Sequence, residues 1–231
     1  MSAVDVAKVM LSKVAIALDE PLLQNVAFVG GCTTGLLVTD DFSRQGVRFT
    51  DDVDLIVGVA GKAGWYQLRA QLIDSGFTES MDDEVNCRMR LAELKVDFMP
   101  DDVDALGFTN CWYKEALATA TLYQLQKNLQ IRVVTPPYFV ATKLEAYKGR
   151  GNDDPLGSHD IEDLLTLFDG RPELLNEIAT SSVTLSKYIS EELRALLNRP
   201  DFEYAIQSTA RNNLQREHLI FQRIEKIAND A

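Results

Sequence analysis

The sequence predicts an α+β fold: a small mixed β-sheet core with flanking helices over residues 1–135, followed by an α-helical domain over 136–231. Three observations predict it. Short apolar runs bounded by glycines or acids mark buried strands in the first part. Two stretches, 85–91 and 94–99, alternate with period two around Ala92-Glu93, as a hairpin does. Beyond Thr135-Pro136-Pro137, only the 3.6-residue rhythm of helices remains.

Taken in order, residues 3–18 carry apolar residues at Val6, Val9, Met10, Val14 and Ala17, which predicts a helix broken near Pro21 and Asn25. Val26 to Val29 reads as a buried strand stopped by Gly30-Gly31, with a helix beginning at Thr33 and a loop over 40–50. Val53 to Val59 is a second strand, with acids in front and glycine behind. Residues 63–75 form a helix presenting Trp65, Leu68, Leu72 and Ile73, and Gly76 suits its C-terminal cap. The hairpin follows, then a helix over 112–129 and a last strand over 131–134. The second domain reads as helices at 138–148, 160–168, 171–179, 184–197 and 201–227.

Composition narrows the function. At 46% hydrophobic and 25% charged residues, the chain has the balance of an ordinary globular protein rather than a disordered one. Three cysteines without C-x-x-C spacing exclude a disulfide framework and a thiolate zinc site, and two histidines exclude a His-rich metal site. The N-terminal stretch is interrupted by Asp5, Lys8, Lys13 and Asp19, unlike a signal peptide, and no apolar run reaches the length of a membrane span. The expectation is a cytoplasmic protein with no membrane partner. A net charge of −12 opposes a simple nucleic-acid binder. Lys127, Arg132, Lys143, Lys148 and Arg150, with Glu145 the one acid near them, form a basic strip along the chain that suits a triphosphate or an RNA end.

The tetrapeptide Asp-Asp-Val-Asp occurs twice, at 51–54 and 101–104. The first copy opens an apolar strand; the second follows Pro100 and leads into Ala-Leu-Gly, so its acids read as solvated surface. On a strand, residues i and i+2 share a face, so Asp52 and Asp54 point the same way while Val53 and Leu55 point to the core. Asp97, in Leu-Lys-Val-Asp-Phe-Met, is set among apolar residues in the same manner. If these strands are neighbours, three carboxylates converge. Bare carboxylates about 4 Å apart, at an effective dielectric near 20, repel by roughly 4 kcal/mol per pair, and divalent cations relieve that repulsion. Mg²⁺ favours one or two carboxylates together with phosphate oxygens, and Mn²⁺ is the alternative ion. Gly30-Gly31 gives a bend without Cβ atoms onto a helix start, which suits a phosphate group. Neither a dinucleotide fingerprint nor a Walker lysine is present.

Strand, Gly-Gly, spacer, Asp-x-Asp at the head of a strand and a third Asp on a later strand resemble the polymerase-β-like nucleotidyltransferase superfamily. Four stretches resemble its AbiEii/AbiGii toxin branch, which includes the MenT toxins: Arg48-Phe49-Thr50-Asp51-Asp52-Val53-Asp54-Leu55, Lys95-Val96-Asp97, Lys143-Leu144-Glu145-Ala146 and His159-Asp160-Ile161-Glu162-Asp163-Leu164-Leu165. The resemblance spans about 25–170. It implies a nucleotidyltransferase core over 1–135 and a helical domain over 136–231 that closes the nucleotide cleft. It implies transfer of NMP from an NTP to an acceptor, a tRNA 3′ end in several relatives, by a toxin-like enzyme of a toxin–antitoxin or phage-defence system with an antitoxin partner. Asp52, Asp54 and Asp97 hold Mg²⁺ in this reading. Gly30, Gly31 and Thr50 line the nucleotide site, Lys143 holds the triphosphate, and Asp160 or Asp163 completes the pocket. The spacer from Gly31 to Asp52 is longer than the branch's pattern. A protein or small-molecule acceptor, such as an aminoglycoside, and a catalytically silent binding subunit are the alternatives.

Overall fold

The computed structural model describes residues 1–83 and 85–229. Its contacts divide the chain into two compact units, Met1–Thr33 with Phe49–Thr135, and Thr34–Arg48 with Pro136–Ala231. Among the described residues, no helix is long and apolar enough to cross a membrane.

The first unit opens with α1 (Ala3–Ala17), where Ser2 and Asp5 cap one another's backbone N–H groups. The buried stripe is Val4, Ala7, Leu11 and Val14, whereas Val9, assigned to the core from its spacing, is 45% exposed. Two overlapping stripes satisfy the same rhythm, so periodicity identifies the helix but not which face is covered. Pro21 does not break a helix. It lies in the first turn of α2 (Glu20–Gln24), where Asp19 accepts from the Leu22 N–H.

Next come β1 (Val26–Val29), α3 (Gly31–Leu37), α4 (Asp41–Arg44) and β2 (Asp52–Val57). After α5 (Gly61–Asp74), the hairpin forms as β3 (Arg88–Leu91) and β4 (Leu94–Pro100), followed by α6 (Val103–Leu106) and α7 (Tyr113–Thr119). Two further strands, β5 (Thr121–Gln126) and β6 (Leu129–Val133), complete a six-stranded sheet in the order β3-β4-β2-β1-β6-β5. The sheet is mixed: β2 runs parallel to β4, β1 runs parallel to β6, and the remaining neighbours are antiparallel.

The helix expected over 112–129 is corrected here, because α7 stops at Thr119 and β5 occupies its second half. β5 is an edge strand with Leu122 69% exposed and Leu125 buried. One covered position in six residues leaves no clean alternation to read. The core comprises Phe28, Val53, Leu55, Val96 and Phe98, all fully buried, with α1 against β2, β5 and β6, and α7 against β1 and β2.

The second unit contains α4 and the helices α8 (Pro136–Arg150), α9 (His159–Gly170), α10 (Leu174–Ala179), α11 (Val183–Leu197), α12 (Pro200–Ala210) and α13 (Leu214–Asn229). Segment 34–48, read from sequence as part of the first domain with a loop over 40–50, contains a short helix and clusters with these C-terminal helices. The reason is polar. The Thr39 and Asp40 N–H groups both donate to the Gly170 carbonyl at 2.9 Å, and Arg216 binds Asp169 at 2.7 and 2.8 Å and Asp40 at 3.1 Å. The single helix expected over 201–227 is two. Arg211 and Asn212 take left-handed φ values of 53° and 59°, and the Asn213 side chain then caps α13.

Candidate metal centre

The parallel pairing of β2 with β4 determines the site. It places Asp54 directly opposite Asp97, and Asp52 opposite Lys95. Val53 and Leu55 on one strand, and Val96 and Phe98 on the other, fill the core face and turn the three acids to the opposite face. One carboxylate oxygen from each of Asp52, Asp54 and Asp97 lies within 4.8 Å of the other two. At 4.8 Å and an effective dielectric of about 20, each charged pair repels by roughly 3–4 kcal/mol. Asp97 is 8% exposed, and Asp52 and Asp54 are half-buried. The Thr50 hydroxyl donates to Asp52 Oδ1 at 2.5 Å, fixing the first of them.

The donor set fits a hard divalent cation. All three donors are carboxylate oxygens, the chemistry of Mg²⁺ or Mn²⁺ rather than zinc. Two oxygens on one Mg²⁺ lie about 3–4 Å apart, given Mg–O distances of about 2.0–2.1 Å. A group with no pair beyond 4.8 Å closes onto such an ion with small side-chain rotations.

Gly30 makes the cluster possible in a way its sequence position does not reveal. Its φ is +76°, and a Cβ at that position would overlap Asp54 Oδ2 and lie 2.6 Å from Asp54 Cγ. The Asp54 carboxylate therefore rests on the face of Gly30, where only hydrogen leaves room. Gly31 begins α3, whose first turn uses the Gly30 carbonyl to accept from the Thr33 N–H and hydroxyl at 3.1 and 2.9 Å.

Sequence reasoning missed Arg88. Its guanidinium makes a two-point contact with Asp97, Nε to Oδ1 at 2.7 Å and Nη2 to Oδ2 at 2.8 Å, and Nη2 lies 3.8 Å from Asp52 Oδ2. Those bonds, and the charges of Asp97 and Asp52, raise its pKa further above the ordinary arginine value. A signal did exist: counting back from the two-residue turn Ala92-Glu93 pairs Leu91 with Leu94 and Arg88 with Asp97. Beside it, burial and the charges of Asp97 and Asp54 push the Cys87 thiol up to about 12, so it stays neutral.

Lys143, Asp160 and Asp163, also expected at a nucleotide pocket, form a cluster inside the second unit. Lys143 is 6% exposed, and its Nζ lies 3.0 Å from Asp160 Oδ1 and 2.7 Å from Asp163 Oδ2. Arg48 holds Asp163 at two points, both 3.0 Å, and Arg150 holds Asp160 at 2.8 and 2.9 Å. Burial pushes both carboxyls up. For Asp160 the Arg150 hydrogen bonds and Lys143 charge outweigh it, and for Asp163 the Lys143 and Arg48 charges do, so both end below the usual range. The five basic residues of the strip along the chain are divided between the two units. Lys127 and Arg132 belong to the first unit, Lys143, Lys148 and Arg150 to the second, and Lys148 is paired with Glu145 and Glu192.

No protein-family model matches this chain, and no curated protein matches it.

Proposed function

We propose that the sheet unit is the core of a Mg²⁺-dependent nucleotidyltransferase, joining the NMP of an NTP to an acceptor hydroxyl with release of pyrophosphate. The observation that carries this reading is the convergence of Asp52, Asp54 and Asp97 from two paired strands, with one oxygen of each inside 4.8 Å, beside Gly30, whose missing Cβ leaves room for the Asp54 carboxylate. Asp52 and Asp54 project from one strand face and take the ions, with Thr50 orienting Asp52; Asp97 closes the group from β4. Bound there, Mg²⁺ neutralises the carboxylates, draws in the triphosphate and stabilises the pyrophosphate that leaves.

The acceptor follows from the sequence resemblance: an RNA 3′ end, that of tRNA, modified by a toxin-like enzyme that an antitoxin protein restrains. The net charge of −12 favours a second acceptor class, a cationic small molecule such as an aminoglycoside or a protein hydroxyl. One screen decides. The protein is incubated with Mg²⁺, each α-labelled NTP in turn, and RNA, protein or aminoglycoside. Label on RNA, absent with Asp54→Asn, is the expected result; label on another acceptor moves the assignment to that class. No label on any acceptor with any NTP overturns the enzyme.

Lys143, Asp160 and Asp163 enter this reading through the resemblance, while their geometry supports a structural role in the second unit. Removing one member of a buried ion pair costs about 3–5 kcal/mol, so the cluster role predicts a large fall in Tm for Lys143→Met. Weakened NTP binding at an unchanged Tm supports the triphosphate role instead.

A further inference from the structure

Arg88 stands where a cation between two of the carboxylates would stand. Its Nη2 is 2.8 Å from Asp97 Oδ2 and 3.8 Å from Asp52 Oδ2, while Nε takes the other Asp97 oxygen at 2.7 Å. Its side chain is 18% exposed and Asp97's is 12% exposed, so water screens this contact poorly. We propose that Arg88 is the resident counter-cation of the triad, which metal must displace from Asp97 and which the phosphates of the incoming nucleotide then take up. The proposal rests on the metal-centre reading and adds a coupling to it: metal alone binds weakly, and metal with nucleotide binds well.

The charges give the direction. Three carboxylates and one guanidinium leave the metal-free group with two negative charges rather than three, so the fork relieves part of the repulsion that would otherwise favour a metal. A divalent ion reaching Asp97 must take oxygens that already face Nε and Nη2. The displaced guanidinium, still fixed to β3 opposite Asp97, then needs an anion, and a planar two-point donor suits a phosphate oxygen pair. A nucleotide triphosphate supplies that anion at the moment the metal arrives. Arg88 is thus a positioning residue that makes metal and nucleotide binding cooperative, by the reciprocity any such linkage obeys.

The test needs no turnover. Mn²⁺ affinity is measured by calorimetry on the full chain, with and without an NTP analogue whose α,β-bridge is a methylene. The proteins are wild type, Arg88→Gln and Arg88→Lys. Arg88→Gln is expected to tighten Mn²⁺ binding without nucleotide by about 10–100-fold, the scale on which groups that hold a metal's ligands act. It also loses most of the gain in Mn²⁺ affinity that the analogue produces in wild type. Arg88→Lys, which keeps the charge without the fork, falls between them. Melting temperature gives a second readout on the same proteins: Arg88→Gln melts lower than wild type without metal and gains more from Mn²⁺. Equal Mn²⁺ affinity and equal Mn²⁺-induced stabilisation in wild type and Arg88→Gln overturn the proposal and leave the metal centre standing. Absence of Mn²⁺ binding in all three proteins removes the metal centre and the proposal together.

Discussion

The same tetrapeptide, Asp-Asp-Val-Asp, occurs at both ends of the β2–β4 region and does opposite work. In the second copy, Asp101 Oδ1 accepts from the Val59 N–H at 3.0 Å. Asp102 accepts from the Asp104 N–H at 2.9 Å and from the Gly61 N–H at 2.8 Å, capping the starts of α6 and α5 together. Of the three acids read from sequence as surface, Asp104 is exposed, and Asp102 is in addition a cap. In the first copy the chain is already in a strand, and the β1 and β4 ladders run alongside it. Asp52 and Asp54 each bring a carboxylate oxygen within 4.8 Å of one on Asp97. The difference teaches that an acid's local backbone decides its chemistry. Beside a helix start it meets N–H donors and serves the fold; side by side on paired strands, acids meet one another and together form a group that a cation can bind.

Substitutions can break this contrast at several strengths. Asp54→Asn is the strongest. It is expected to lower both Mn²⁺ affinity and label transfer by more than about 100-fold, beyond the 10–100-fold typical of outer-shell changes, while the metal-free Tm stays equal or rises because a repulsive charge is gone. Asp104→Asn, at the equivalent position of the second copy, leaves both readouts unchanged.

Gly30→Ala comes next. Left-handed backbone strain costs about 1–3 kcal/mol, and the new methyl displaces Asp54. A lowered Tm accompanied by reduced Mn²⁺ binding is expected, and a variant that loses only Tm would separate the bend from the metal group.

Asp102→Ala tests the other side. Loss of a cap shared by two helices is expected to lower Tm by about 2–4 °C with transfer per folded molecule unchanged. The backbone hydrogen bonds from Asp104 and Gly61 hold the Asp102 carboxyl below the usual range. A depressed folded pKa means the stabilisation is fully present above the unfolded value of about 3.9 and is lost as pH falls through the folded one. The Tm gap between wild type and Asp102→Ala therefore persists at pH 7 and closes as the pH drops below about 4. A gap of the same size at pH 3 would show that the carboxylate is not the cap. The smallest effect is that of Thr50→Val. It removes one hydrogen bond to Asp52, worth about 0.5–1.5 kcal/mol, and so weakens Mn²⁺ binding by roughly 2- to 10-fold.

Much of the site could be read in one dimension because strand geometry is local. The shared face of Asp52 and Asp54 follows from the pleat, and their apolar neighbours Val53 and Leu55 orient it without reference to the rest of the chain. Asp97 was recognisable by the same dress. Its position opposite Asp54 was conditional on which strands pair, a choice the local pattern does not make. Arg88 was recoverable from the turn register, yet arginines on short strands are common and carry no mark of their partner. β5 and the break at Arg211-Asn212 escaped for another reason. An edge strand with a single covered position has no period, and a left-handed pair of non-glycine residues gives little warning.

By itself, the sequence determined the order of most helices and strands, the presence of a sheet before Thr135 and of helices after it, and the two acids that share a strand face. Those properties come from hydrophobic rhythm and from residues such as proline and glycine, whose effects act within a few positions. Only the tertiary structure decided that β4 lies parallel beside β2, that Arg88 grips Asp97, that Lys143 is enclosed by Asp160 and Asp163, and that segment 34–48 clusters with the C-terminal helices. Each of these joins residues that are neighbours in space through hydrogen bonds or ion pairs, and such partners are chosen by which surfaces bury each other rather than by any spacing along the chain.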